Sequence, residues 1–146
     1  MKLHEYQAKE LLARFGVPVP GGRVATAAEE AAVIAEELGG GCVVKAQAHT
    51  GGRGKGGGVK VVGSGDEARE AASEIIGMQL VTLQTGPAGL PVASVLVEEL
   101  VEIERELYLS VTIDNALGMP VVIASAAGGM NIEEVAEEHP EQIHRA

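Results

Sequence analysis

Lys45 and the run that follows it are the residues of this 146-residue chain best suited to chemistry. From Lys45 to Lys60 the sequence reads KAQAHTGGRGKGGGVK, and six of the eight residues from Gly51 to Gly58 are glycine. Glycine lets a main chain take positive φ and approach a ligand closely, while Arg53 and Lys55 project from the loop. No Asp or Glu occurs between Glu37 and Asp66, so Lys45, Arg53, Lys55 and Lys60 form a local cationic field in a chain of formal charge -10. Such a field draws a polyanion to one spot, and bare amides beside it suit the phosphates of a nucleotide.

Two charged residues sit where charge is costly. Lys45 lies in the apolar run CVVKA, where a lone ammonium is unfavourable unless it meets an anion, either a ligand or a glutamate on a neighbouring strand. Glu98 is its mirror image, sharing a strand face with Leu96 and Leu100. Its carboxylate needs a donor, which an adenine amino group, a ribose hydroxyl or Lys45 itself would supply. Glu99, Glu102 and Glu104 read as a solvated acidic edge.

Other chemistries find less support. The four histidines, His4, His49, His139 and His144, lack metal-ligand spacing and none is assigned to catalysis; His49, beside the loop, is expected to fix it through a hydrogen bond. No Ser, His and Asp set suggests a hydrolytic triad. Gly52 to Gly57 satisfies G-x-G-x-x-G, but a strand follows where a dinucleotide fold needs a helix. The Walker loop fails too, with His49 in place of its first glycine and Gly56 in place of its Ser or Thr. What remains is a glycine-rich hairpin folded over a nucleotide.

The elements that must position these residues alternate between helix and strand. His4 to Phe15 reads as a helix with Leu3, Tyr6, Leu11, Leu12 and Phe15 largely on one side, ended by Gly16 and a stiff Val17-Pro18-Val19-Pro20 connector. A short strand from Gly22 to Ala25 leads to Thr26 as N-cap of a helix with alanines at helical spacing, closed by Gly39 to Gly41. Cys42 to Gln47, the loop, and Val59 to Val62 form a strand, loop, strand unit. A helix from Asp66 to Ile76, a short extended stretch from Leu80 to Gln84, and strands at Val92 to Leu100, Glu106 to Asp114 and Pro120 to Ser125 follow. A turn at Asn115 to Gly118 joins the last two, and a final helix starts near Asn131. The whole predicts an α+β or α/β domain.

Composition narrows the class. Hydrophobic residues make up 46% of the chain, enough for a core, while the apolar runs are far shorter than the roughly 20 residues a bilayer span requires. The start has no apolar signal segment, so the cytoplasm is expected. Cys42 is the only cysteine and reads as a buried small hydrophobe. Aromatics are 2% of residues with no tryptophan, which together with the negative charge argues against nucleic-acid binding. The end, EEHPEQIHRA, shows no concluding strand and is expected to be a truncation.

Taken in order, LHEYQAKELLARFGVPVP, VVKAQAHTGGRGKGGGVKVV, LVTLQTGP and VEELVEIERELYLSVTID resemble the start of the succinate–CoA ligase β subunit family, along the whole chain. The resemblance implies an ATP-grasp fold, N-terminal portion, with 21–102 as the smaller lid subdomain and 1–20 with 103–146 as an incomplete larger one. It implies that Lys45 contacts nucleotide phosphate, that Gly52, Arg53 and Gly54 lie over the triphosphate, that Glu98 and the main chain of Val101 meet the base, and that Glu106 is near the ribose. The implied activity is ADP-forming ligation of succinate to CoA in the tricarboxylic acid cycle, through a phosphohistidine on a separate α subunit that also carries the CoA site. ATP and ADP are the implied nucleotides, with Mg2+ ligands expected beyond Ala146, so the chain alone is expected to be inactive. Where the family reads S-x-E-G-G, this chain has Ser125-Ala126-Ala127-Gly128-Gly129, and Asn131 replaces a usual acidic residue. The related malate–CoA ligase also varies there and shares LVTLQTGP, so malate is an alternative acid. Pro20 favours ATP over GTP. A non-catalytic nucleotide sensor and a pure interaction module are the rivals from other classes.

Overall fold

A computed structural model describes residues 2–116, 118–130 and 132–146. Contacts divide them into two compact units, one reaching to Val101 and one from Glu102 to Ala146.

The first unit is built on a four-stranded antiparallel sheet in the order β1-β6-β2-β3, from β1 (Gly22–Ala25), β2 (Cys42–Ala46), β3 (Val59–Val62) and β6 (Val95–Glu99). Successive strand residues point to opposite faces, and here the two faces differ in character. Cys42, Val44, Ala46, Val95 and Val97 are buried in one apolar core with residues of α2 (Ala28–Glu37) and α3 (Gly65–Ile75). The helices contribute mainly alanine, with Ala31, Ala35, Ala68, Ala71 and Ala72 all buried, and Ile34 and Ile75 supply the bulk. Small side chains let two helices and a sheet come close together. Cys42 is fully buried in this core, and burial raises its thiol pKa. On the other face of the sheet stand Lys45 and Glu98.

Local chemistry sets most of the boundaries. Ser64 caps α3 by accepting from the Glu67 amide at 3.2 Å. Gly39 and Gly40 take φ of +90° and +94° to end α2. The expected N-cap of α2 moves by one residue: Ala27 holds that position, because Glu30 reaches back to the Thr26 amide and hydroxyl at 2.7 and 3.0 Å. Gly22 is required by close strand pairing, since a Cβ there would lie 2.5 Å from the Val97 carbonyl oxygen. The stretch after α3 pairs as β4 (Gln79–Leu80) with β5 (Leu90–Pro91).

Helix α1 (Glu5–Arg14) has no buried residue. Its apolar residues Leu11 and Leu12 and its C-cap Phe15 remain exposed, Phe15 to 80%. Its attachment is polar: Glu5 and Lys9 reach Lys45, Arg53 and Glu98. By contact, residues 2–20 group with the first unit.

The second unit is a three-stranded antiparallel sheet, β7 (Tyr108–Asp114), β8 (Met119–Ser125) and β9 (His144–Arg145), with helix α4 (Ile132–Glu138). The final segment thus does supply a strand, pairing Arg145 with Ile123 and His144 with Ala124. On β7 the apolar alternation Leu109, Val111 and Ile113 is exposed, at 70%, 69% and 57%. β7 begins at Tyr108 rather than at Glu106, because Gly128 and Gly129 lie against Glu106, where a Cβ on either would overlap its backbone or carboxylate. The Asp114 carboxylate accepts from the Ala116 amide at 2.8 Å in the turn before Gly118. The helix start expected near Asn131 lies outside the described residues.

Candidate functional site

The face of the sheet opposite α2 and α3 carries a charge cluster built from three elements. β2 contributes Lys45, β6 contributes Glu98, and α1 contributes Glu5 and Lys9 one helical turn apart. Register places Val43 opposite Glu98 and Lys45 opposite Leu96, so Lys45 and Glu98 are diagonal neighbours on one face. The Lys45 ammonium pairs with one Glu98 oxygen and the Lys9 ammonium with the other. Glu98 is 3% exposed, so this pairing answers its demand for donors. Of the partners open to Lys45 and Glu98 at the sequence level, each has the other.

Glu5 joins this pair to the glycine loop. Its Oε1 lies 3.3 Å from both Lys45 Nζ and Lys9 Nζ, and its Oε2 lies 2.7 Å from an Arg53 nitrogen. Burial alone would raise the Glu5 pKa, but Arg53, then Lys45 and Lys9, bring it down to about 2. Burial would likewise lower the Lys45 pKa, and the Glu98 hydrogen bond followed by Glu5 turns the net shift upward. Both groups are held in their charged forms.

The loop, residues 47–58, is ordered by its own hydrogen bonds and by a clasp. Gly56, Gly57 and Gly58 amides donate to the carbonyls of Gly52, Gly54 and Arg53 at 3.1, 3.1 and 2.8 Å, which winds the tip into a helix-like turn. Gly52 and Gly57 take φ of +71° and +78°. The segment after β4 grips the turn: the Thr50 and Thr82 hydroxyls are 2.8 Å apart, and the Gly51 amide donates to Gln84 Oε1 at 2.8 Å. A Cβ on Gly56 would lie 2.7 Å from the Val81 carbonyl oxygen. Some of the glycines thus admit the protein's own backbone, and the tip is not a loose hairpin end. Among the described residues, the amides of Gly52, Arg53, Gly54 and Lys55 find no acceptor. Four successive free amides beside a guanidinium form a natural anion cradle.

Arg53 is fixed twice, by Glu5 and by a 2.7 Å hydrogen bond from Nη1 to the Ala46 carbonyl. The hydrogen bond expected of His49 is replaced by a ring stack on His4, with centroids 4.0 Å apart. Burial, then the neighbouring His49 and Arg53, lower the His4 pKa. A hollow of about 420 Å³ opens here, bordered by Glu5, His49, Thr50, Gly51, Arg53 and Gln84. A second hollow, about 270 Å³, is bordered by Tyr6, Lys9, Pro20, Gly22, Leu96 and Glu98.

The structure therefore brings Lys45, Arg53 and Glu98 together through Glu5, with Gly52 and Gly54 on either side of Arg53. Val101 is 48% exposed just beyond β6. Glu106 belongs to the second unit and lies exposed against Gly128 and Gly129. Sequence reasoning missed Glu5, Lys9, Thr82 and Gln84. The four-residue spacing of Glu5 and Lys9 on a helix was the available signal for the first two. Among the described residues, no group of three or more His, Cys, Asp or Glu is arranged to hold a metal.

Comparison with known proteins places this geometry. The β subunit of succinate–CoA ligase (ADP-forming) from Burkholderia lata is 57% identical over 146 residues, covering 99% of this chain and 38% of that one. The same subunit from Pelobacter propionicus is 56% identical over 143 residues, covering 98% and 36%. The chain thus spans about 38% of the length of the curated relatives it matches. Among solved structures, an acetyl-coenzyme A synthetase 1 of Ca. Korarchaeum cryptofilum, in complex with coenzyme A and Ca-AMPCP, superimposes with a TM-score of 0.74 at 28% identity. That match covers 99% of this chain and 59% of the other. A family model described as the ATP-grasp domain matches residues 2–146. The chain belongs to the ATP-grasp domain family.

Proposed function

We propose that this chain is the nucleotide-binding portion of the β subunit of an ADP-forming succinate–CoA ligase. The observation that carries the proposal is the meeting of Lys45 and Arg53 on one carboxylate, beside four successive amides without an acceptor. In this role Lys45 and Arg53 neutralise phosphate charge while the amides of Gly52 to Lys55 hydrogen-bond phosphate oxygens. Positioning and charge neutralisation are most of what phosphoryl transfer asks of a protein. The hollow bordered by Pro20 and Glu98 is assigned to an adenine base. From the family resemblance alone, the main chain of Val101 is assigned to the base and Glu106 to the ribose. The complex of the Korarchaeum relative with Ca-AMPCP supports a nucleotide ligand on this fold.

In the full-length protein, 21–102 would form the lid and 1–20 with 103–146 would belong to the larger subdomain. Turnover is assigned to a cytoplasmic complex with an α subunit that supplies the phosphorylated histidine and the CoA site. Among the described residues Glu5 and Glu98 are both paired with cations, and the Mg2+ ligands are assigned to sequence beyond Ala146. Ala127, at the position of a family glutamate, favours keeping malate as a second acid substrate. Assay of both acids with the complete enzyme separates the two.

The direct test is ligand-induced stabilisation. ATP at about 100 times its Kd should add about 2.7 kcal/mol to the unfolding free energy. The gain should vanish in Lys45→Ala. An unchanged melting temperature of the parent chain in saturating ATP would leave only an interaction module.

A further inference from the structure

Glu5 is the point at which the cations of the loop and of β2 converge. Arg53 lies 2.7 Å from its Oε2, and Lys45 and Lys9 each lie 3.3 Å from its Oε1. None of the three needs Glu5 for its placement. Arg53 is also held by the Ala46 carbonyl, and Lys45 and Lys9 are both paired with Glu98. What Glu5 adds is a fixed negative charge at the spot where an anion would contact Lys45 and Arg53 together.

We propose that Glu5 is an internal competitor for the phosphate-gripping cations, which holds nucleotide affinity down and hastens nucleotide release. The inference rests on the phosphate role given above to Lys45 and Arg53. Three cations against two carboxylates leave the cluster one positive charge, and removing the Glu5 charge would leave two. An incoming polyphosphate must take Arg53 and Lys45 from a carboxylate already bound to them, and it is repelled by that carboxylate as it does so. The repulsion scales with ligand charge, so it acts on a triphosphate chain and spares a nucleoside. Glu5 stays ionised at every pH suited to binding, since its pKa is about 2.

The test is isothermal titration of the chain and its Glu5→Gln variant with inorganic tripolyphosphate, ATP and adenosine, together with stopped-flow measurement of ATP release. Tripolyphosphate and ATP should bind Glu5→Gln at least about fivefold more tightly, with slower release and no change for adenosine. Equal or weaker tripolyphosphate binding by the variant overturns the proposal. Lys45→Ala, titrated alongside, separates the two claims. If Lys45→Ala binds tripolyphosphate as well as the parent chain, the phosphate site itself is wrong; if it loses binding while Glu5→Gln gains none, only the competitor role falls. Carbon-13 NMR of the Glu5 carboxylate in the unaltered chain covers a variant that fails to fold. That signal should move as tripolyphosphate saturates, and a stationary signal overturns the proposal.

Discussion

Acidification should remove a defined share of the stability of the first unit, and Glu5 sets its size. Its carboxyl ordinarily titrates at 4.5 and here at about 2. At about 1.4 kcal/mol per pH unit, the difference is worth about 3.5 kcal/mol of unfolding free energy. The folded value is the lower one, so the unfolded chain takes up the proton first. The stabilisation is fully present above 4.5 and is lost as pH falls through about 2. The assay is urea unfolding followed by circular dichroism, repeated from about pH 7 to about pH 2.5 on the parent chain and on Glu5→Gln. Subtracting the two series removes carboxylates that are not coupled to Glu5. The difference should be greatest near neutrality and shrink below about pH 4.5, with a slope approaching 1.4 kcal/mol per pH unit. A difference that stays flat from about pH 6 to about pH 3 would refute the charge cluster as described.

Two further predictions concern the clasp on the glycine loop. Gly56→Ala would place a methyl group 2.7 Å from the Val81 carbonyl oxygen and 2.9 Å from Leu80 Cδ1. It should cost about 1–3 kcal/mol in thermal unfolding and shrink the ATP-induced shift, whereas unaltered melting would show that the loop does not pack on that segment. Gln84→Ala removes the acceptor of the Gly51 amide and should cost about 0.5–1.5 kcal/mol locally. Amide hydrogen exchange should speed up at Gly51 while Val44 is unchanged, and equal protection in both proteins would exclude the clasp.

Legibility in the sequence followed the range of the forces involved. The β2, loop, β3 unit and helices α2 and α3 were readable because alternation, alanine spacing, caps and terminal glycines are local signals. The link between Lys45 and Glu98 was readable as a possibility, since two opposite charges on apolar strands require partners. Lys9 and Glu5 were not, because Lys9 lies 89 residues from Glu98 and Glu5 lies 40 from Lys45, and only tertiary folding brings them together. The loop glycines were read as room for a ligand; that Gly56 also makes room for Val81 depends on packing no spacing rule reveals. Thr26 lost its capping position to Ala27, its own amide and hydroxyl donating instead to Glu30 four residues on.

The scarcity of aromatic residues has a practical corollary. Tryptophan is absent and the two tyrosines, Tyr6 in α1 and Tyr108 in β7, fall one in each compact unit. Tyr6 also borders the hollow assigned to the base. Intrinsic ultraviolet emission therefore reads each half through its own natural fluorophore. With Tyr108→Phe, a single dye-free beacon beside that hollow would report ligand arrival in real time.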